Sequence, residues 1–195
     1  GLCFVMIAYV FFLIGTLPAT LVLSYIPLPA NLTISQVEGT VWKGEAKQVS
    51  FNHIEVKDVS WDTSVIALLT GSTQVYVEFG RGKNSLRGSG ELGYSSAGVY
   101  AQDFTVTASS EWLVTASNIP LPVTTKGSVK LTIAEMQQGN PWCEQLDGQL
   151  SWSNAGIDSL LGNVEIDSAV ANLTCDKGTI VANIKQSSNQ LKLSG

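Results

Sequence analysis

The hydrophobic and polar positions divide the chain into an apolar N-terminal run and a long alternating region. No charged residue occurs in residues 1–37, and residues 2–26 are apolar apart from Thr16, Thr20 and Ser24. A helix of about 25 residues, at about 1.5 Å per residue, exceeds the roughly 30 Å hydrocarbon layer of a membrane. The run therefore predicts a transmembrane helix over residues 1–26, ended by Pro27 and Pro29.

A cleaved signal peptide is the alternative interpretation of this run. Its apolar core is shorter, roughly 7–15 residues, and ends at a small-residue site. The segment Pro18-Ala19-Thr20 fits such a site poorly. We therefore expect a retained anchor followed by one β domain over residues 27–195.

Beyond Pro29, apolar and polar residues alternate with a period of two, which is typical of half-buried strands. The alternation is clear at 54–56, 75–79, 104–108, 129–133 and 180–184, and Gly-rich turns separate the segments. The pattern predicts a mainly β protein with an extended, curved antiparallel sheet. Three stretches break the alternation and predict short helices, at 64–70, 110–116 and 154–161.

Parts of the chain resemble each other. The segment Ile26-Pro27-Leu28-Pro29 recurs as Ile119-Pro120-Leu121-Pro122, and similar Gly, Trp and Leu positions follow each copy. A duplicated strand, helix and strand unit explains this recurrence. The hypothesis divides the β domain into related halves, 30–118 and 119–195.

The cysteines indicate the compartment. Cys3 lies in the apolar run, where a thiol behaves as a small hydrophobe. Cys143 and Cys175 have no second Cys or His at metal-ligand spacing, which favours a disulfide over a zinc site. A disulfide requires an oxidising space, so the β domain is expected on the outer side of the membrane.

Charge and residue chemistry disfavour two classes of function. The net charge is -5 and no Lys or Arg block occurs, so the electrostatic footprint of nucleic-acid binding is missing. The single histidine, His53, has no nucleophile motif around it. Carboxylate pairs for glycosidase chemistry are Glu144 with Asp147 and Asp58 with Asp62, and nothing singles them out among 16 acidic residues. We expect no enzymatic activity, cofactor or metal.

A motif near the start of the alternating region carries a family resemblance. It consists of Gly39, Thr40, Trp42, Gly44 and Ala46, which follow the apolar run and its Leu-Pro exit. With it go the later segments Leu121-Pro122, Pro141-Trp142-Cys143 and Leu146-Asp147-Gly148. Together they make the chain resemble protein N of the bacterial type II secretion system.

The resemblance implies a non-enzymatic subunit of the bacterial inner membrane with its body in the periplasm. It would belong to the machine that carries folded proteins across the outer membrane, and we expect a scaffold or assembly role there, with other secretion subunits as partners. The alternative is a periplasmic lipid-binding or lipid-transfer protein of the AsmA-like kind, with lipid as the partner. A continuous apolar sheet face without an aromatic plug favours the alternative, and a filled core favours the scaffold.

Overall fold

The computed structural model describes residues 2–52, 54–65, 71–81, 85–117, 123–159 and 162–187. The described helices are α1 (Leu2–Gly15), α2 (Ala19–Tyr25) and α3 (Ser110–Ala116). The strands are β1 (Leu32–Gly39), β2 (Lys43–Phe51), β3 (Ile54–Thr63), β4 (Thr73–Phe79), β5 (Arg87–Ser95), β6 (Gly98–Ser109), β7 (Val123–Gln138), β8 (Cys143–Ser159), β9 (Gly162–Asp176) and β10 (Thr179–Ser187). The predicted mainly β architecture is present.

The ten strands form one sheet in the order β1 to β10, and each pairs antiparallel with the next. Because consecutive strands run in opposite directions, the turns after odd-numbered strands lie at one end of the sheet. We call this the odd end; it holds the turns at 40–42, 96–97, 139–142 and 177–178. The turn at Asn52 lies at the opposite, even end.

The strand register separates an apolar face from a polar face. One cross-strand row, from β6 to β10, consists of Val106, Leu131, Leu150, Ala171 and Ile184. The adjacent row consists of Thr105, Thr132, Gln149, Asn172 and Asn183. Since successive side chains of a strand point to opposite faces, these rows lie on opposite sides of the sheet.

Few large side chains are fully buried in the described part of the chain. Its buried hydrophobic residues are Ala19, Ala46, Ala101, Ala108, Cys143, Leu146 and Ala155. Larger residues of the apolar face are only partly covered: Leu150 is 38% exposed and Ile184 69% exposed. The apolar face therefore lacks a complete second layer formed by the described residues.

The predicted transmembrane helix is wrong. No helix among the described residues is long and apolar enough to cross a membrane. The apolar run is divided into helices of 14 and 7 residues, and the longer one measures only about 21 Å. The division occurs because Pro18 has an extended backbone and bridges Thr40.

The three predicted short helices have different outcomes. The helix at 110–116 is confirmed as α3, and its N-cap Ser109 accepts a hydrogen bond from the backbone N–H of Trp112 (3.2 Å). The helix at 154–161 is wrong for 154–159, which belong to β8. Asn154 has a φ of 51°, and the register shifts there, so the broken alternation marks a bulge. Residues 66–70 and 160–161 lie outside the described residues, and the duplication stays a prediction.

Candidate partner-binding sites

The family motif forms the tight β1–β2 turn at the odd end of the sheet. Gly39 has a φ of 91°, a backbone conformation that L side chains rarely adopt. The Thr40 N–H donates to the Lys43 carbonyl (2.8 Å), and the Lys43 N–H donates to Thr40 Oγ1 (3.1 Å). Thr40 thus closes the turn through both its backbone and its hydroxyl group.

The remaining small residues of the motif make room for Trp61. Gly44 is paired with Trp61 across β2 and β3, and a Cβ on Gly44 would lie 2.5 Å from Cζ2 of that ring. The Trp61 indole N–H donates to the Thr40 carbonyl (3.2 Å). Ala46, which faces Val59, is 1% exposed. A glycine and an alanine therefore let a large ring lie against the strand.

The motif also ties the N-terminal helices to the sheet. The Trp42 indole N–H donates to the Ile14 carbonyl at the end of α1 (2.7 Å). The Val41 N–H donates to the Leu17 carbonyl between α1 and α2 (3.1 Å). These two bonds, with the Pro18–Thr40 bridge, hold the segment between the helices against the β1–β2 turn.

Replacing Trp42 with Phe removes the indole donor and keeps a ring. We expect amide hydrogen exchange in α2 and at Val41 to rise about fivefold, because a net hydrogen bond contributes about 1 kcal/mol. Strands β6–β9 are expected to keep their protection. Trp142→Phe is the control, since no described residue accepts a hydrogen bond from the Trp142 indole. Equal exchange in the two variants would contradict the assigned role of Trp42.

An apolar groove of about 350 Å³ lies between α2 and the first three strands. Its lining is entirely apolar or aromatic: Ala19, Val22, Leu23, Ile26, Ile34, Val41, Ala46, Val49, Val59 and Trp61. The volume is within the range of small-molecule sites, about 300–1,000 Å³. The groove suits an apolar occupant because its lining side chains present no ionised group.

The polar face opposite the groove carries most of the nearby charge. A polar depression of about 400 Å³ is lined in part by Glu45, Asp62, Tyr76 and Glu78. Asp62 forms an ion pair with Lys43 (3.1 Å), and the two side chains are 56% and 80% exposed. Exposed ion pairs contribute little to stability, so this pair affects surface charge more than the fold.

A second candidate site lies at the odd end of β8 and β9. The predicted disulfide between Cys143 and Cys175 is confirmed, with Cα atoms 6.1 Å apart, and Cys3 is free. The Trp142 N–H donates to the Gly178 carbonyl (3.1 Å). Two turns, 139–142 and 177–178, are therefore joined beside an exposed tryptophan.

The candidate catalytic residues from the sequence are His53 and two carboxylate pairs, of which one lies on β3 and the other on β8. His53 lies outside the described residues. Asp62 forms an ion pair with Lys43, and Glu144 is exposed at a register shift near the start of β8. No group of three or more potential metal ligands occurs within the described ranges.

Sequence reasoning missed the groove and the contact between the motif and the helices. Pro18 was the available signal, because a proline inside an apolar run interrupts helical hydrogen bonding. The sequence does not show that the interrupted backbone would pair with Thr40.

The fold and these sites define a disulfide-bonded, antiparallel β-sheet protein with an apolar groove and a partly open apolar face. Residues 30–195 match the family model described as type II secretion system (T2SS), protein N. The chain therefore belongs to the family of type II secretion system protein N.

Individual relatives agree with this assignment. The chain is 34% identical to a type II secretion system protein N of Vibrio cholerae over 84% of this chain and 66% of the relative. It is 32% identical to the Aeromonas hydrophila protein of the same name, over 97% and 76% respectively. The chain thus spans about two thirds of the Vibrio protein's length. No solved structure matches the chain.

Proposed function

We propose that the chain is a non-enzymatic component of the type II secretion machinery, with a scaffold or assembly role on the periplasmic side of the inner membrane. Family membership supports the machinery. The names of the relatives support other subunits of this machinery as partners.

The partly open apolar face carries the proposal. Within the described strands, alanine and cysteine dominate the fully buried apolar residues, while Leu150 and Ile184 stay partly exposed. Contiguous exposed apolar surface marks interaction sites. The face therefore supports binding through the sheet.

The disulfide supports the periplasmic location. Such bonds form and persist in oxidising spaces, of which the bacterial periplasm is one, and are rare in reducing ones. Cys143 is almost completely buried, at 1% exposure, which suits a structural bond protected from reductants.

A lipid-binding or lipid-transfer function is the second candidate, and the apolar groove favours it. The groove has an uncharged lining, and the apolar row from Val106 continues through Leu131 and Leu150 to β9. Trp61, however, occupies one wall of the groove, and Phe79 contacts Phe104 with ring centroids 6.4 Å apart. These aromatic rings reduce the space for acyl chains, so we place the scaffold first.

A matched pair of variants in β8 tests the scaffold. Leu150→Glu puts a carboxylate on the apolar face, and Gln149→Glu puts one on the polar face at the next position. We expect Leu150→Glu to reduce crosslinking to other secretion subunits in native membranes at least about tenfold, because a charge would be desolvated at the interface. Gln149→Glu is expected to keep it.

Thermal unfolding of both variants checks that the sheet is retained. Recovery of other secretion subunits with the unsubstituted chain supports the scaffold. Recovery of phospholipid without protein would reject it in favour of the lipid function. Equal crosslinking by the two variants would show that the apolar face is not the binding surface.

A further inference from the structure

The tryptophans of the sheet differ in what their indole groups do. The indole N–H groups of Trp42, Trp61 and Trp152 each donate to a backbone carbonyl, those of Ile14, Thr40 and Lys126 respectively. Trp142 is 69% exposed, and no described residue accepts from its indole. Three of these rings thus have a structural contact that Trp142 lacks.

The backbone beneath Trp142 is held firmly. Its N–H and that of Cys143 both donate to the Gly178 carbonyl, at 3.1 and 3.4 Å. The Cys143–Cys175 disulfide follows directly. Gly178 has a φ of 82°, and a Cβ there would collide with the Asn140 carbonyl oxygen. The turns 139–142 and 177–178 therefore pack together too closely to move independently.

An exposed tryptophan on a fixed backbone has the properties of a binding anchor. Tryptophan is enriched among the residues that dominate interface energetics. A ring whose backbone is already ordered loses less conformational freedom on binding than one on a mobile loop. An indole also offers one donor beside a large apolar surface.

The charges near the ring favour a protein partner over an anionic membrane. Glu144 and Asp176 follow the two bonded cysteines, and Lys177 is the single cation in the neighbouring turn; all three residues are exposed. Two carboxylates against one ammonium leave a net negative charge on the residues that flank the disulfide and its turn. This charge would repel anionic headgroups and complement a basic rim.

We infer that Trp142 anchors a docking surface at the odd end of the sheet, which inserts the indole into an apolar pocket with a basic rim on another protein. The inference rests on the proposed function for the partner's place in the secretion machinery. It adds the contact residue and the chemistry of the partner's site. This surface is distinct from the groove beneath α2, because the two sites share no residue.

Site-specific photo-crosslinking in cells that produce the whole machinery tests the inference. A photoreactive residue at position 142 is expected to give adducts that map to one site on one secretion subunit. The same residue at position 51 is the control, since Phe51 is 47% exposed at the even end of the sheet. Position 51 is expected to give none of these adducts.

A second experiment measures the contribution of the Trp142 side chain. The photoreactive residue is placed at position 144, and Trp142 is replaced by alanine or by phenylalanine. We expect Trp142→Ala to lower the yield of that adduct about 30-fold, the effect of losing a dominant interface residue, and Trp142→Phe to lower it less. The exposed position should leave thermal unfolding unchanged. Binding to vesicles of phosphatidylglycerol and phosphatidylethanolamine should be the same with and without Trp142→Ala, because the exposed apolar residues of α1, and not Trp142, would contact lipid.

Several outcomes would overturn the anchor. These are an unchanged yield with Trp142→Ala, adducts scattered over many proteins, adducts to phospholipid, or vesicle binding that Trp142→Ala abolishes. If Leu150→Glu loses the secretion subunits while Trp142→Ala does not, the anchor is wrong and the scaffold stands. Adducts that map to a single pocket on a protein outside the secretion machinery would support Trp142 as an anchor and would contradict the proposed scaffold role.

Discussion

Replacing Cys143 and Cys175 together with serine is expected to lower the free energy of unfolding by about 3–4 kcal/mol. The bond joins residues 32 apart in sequence, and opening such a loop restores conformational entropy to the unfolded chain. The loss should appear as a lower denaturant midpoint with a similar slope. Reduction of the unsubstituted chain should produce a similar loss.

Cys3→Ser is the control for this prediction, because Cys3 is free and exposed. We expect its midpoint to match that of the unsubstituted chain. An equal midpoint in the double serine variant would show that the disulfide does not stabilise the fold. The bond would still indicate an oxidising compartment.

Replacing Gly39 with alanine is expected to destabilise the protein by about 2–4 kcal/mol. A Cβ at this position would lie 2.6 Å from the Lys43 carbonyl oxygen and 2.7 Å from the Gly44 Cα. Both atoms are backbone, so relief requires the β1–β2 turn to open. The φ of 91° adds conformational strain.

Gly71→Ala separates the strain from the collision. Gly71 has a φ of 80° but nothing within 4 Å of an added Cβ, so its expected loss is about 1 kcal/mol. Chemical denaturation of both variants gives the comparison. Equal losses would show that the turn accommodates the methyl group and that the close approach is unimportant.

Much of the sheet was predictable because its determinants are local. Period-two alternation predicted the strands at 75–79 and 129–133, which lie in β4 and β7. The break in the alternation at 110–116 predicted α3, whereas its Ser109 cap was recognised only in the structure. Alternation indicates which residues share a face, but it does not give the order of ten strands.

The bulge in β8 shows where local reasoning fails. The broken alternation at 154–161 predicts a helix, yet residues 156–159 pair with both β7 and β9. The backbone groups of these residues form hydrogen bonds with the neighbouring strands. Asn154, with its positive φ, lies at the bulge where the pairing is interrupted. A bulge and a short helix interrupt alternation in the same way, so only the pairing partners distinguish them.

The candidate sites were also only partly predictable from the sequence. The motif residues, the disulfide pair and Trp142 were all visible in the sequence, but the contacts of the motif residues and of Trp142 were not. The Trp42 indole N–H donates to the carbonyl of Ile14, 28 residues earlier, whereas no described residue accepts a hydrogen bond from the Trp142 indole.

The sequence by itself determined the strand content, the pairing of the two later cysteines and the family. The tertiary structure decided how the apolar run divides, which tryptophans are structural and where the groove lies. The physical reason is the range of the interactions. Side-chain periodicity and turn chemistry act over a few residues. The hydrogen bonds that Val41 donates to Leu17 and Trp42 donates to Ile14 form only when the folded sheet brings these distant parts of the chain together.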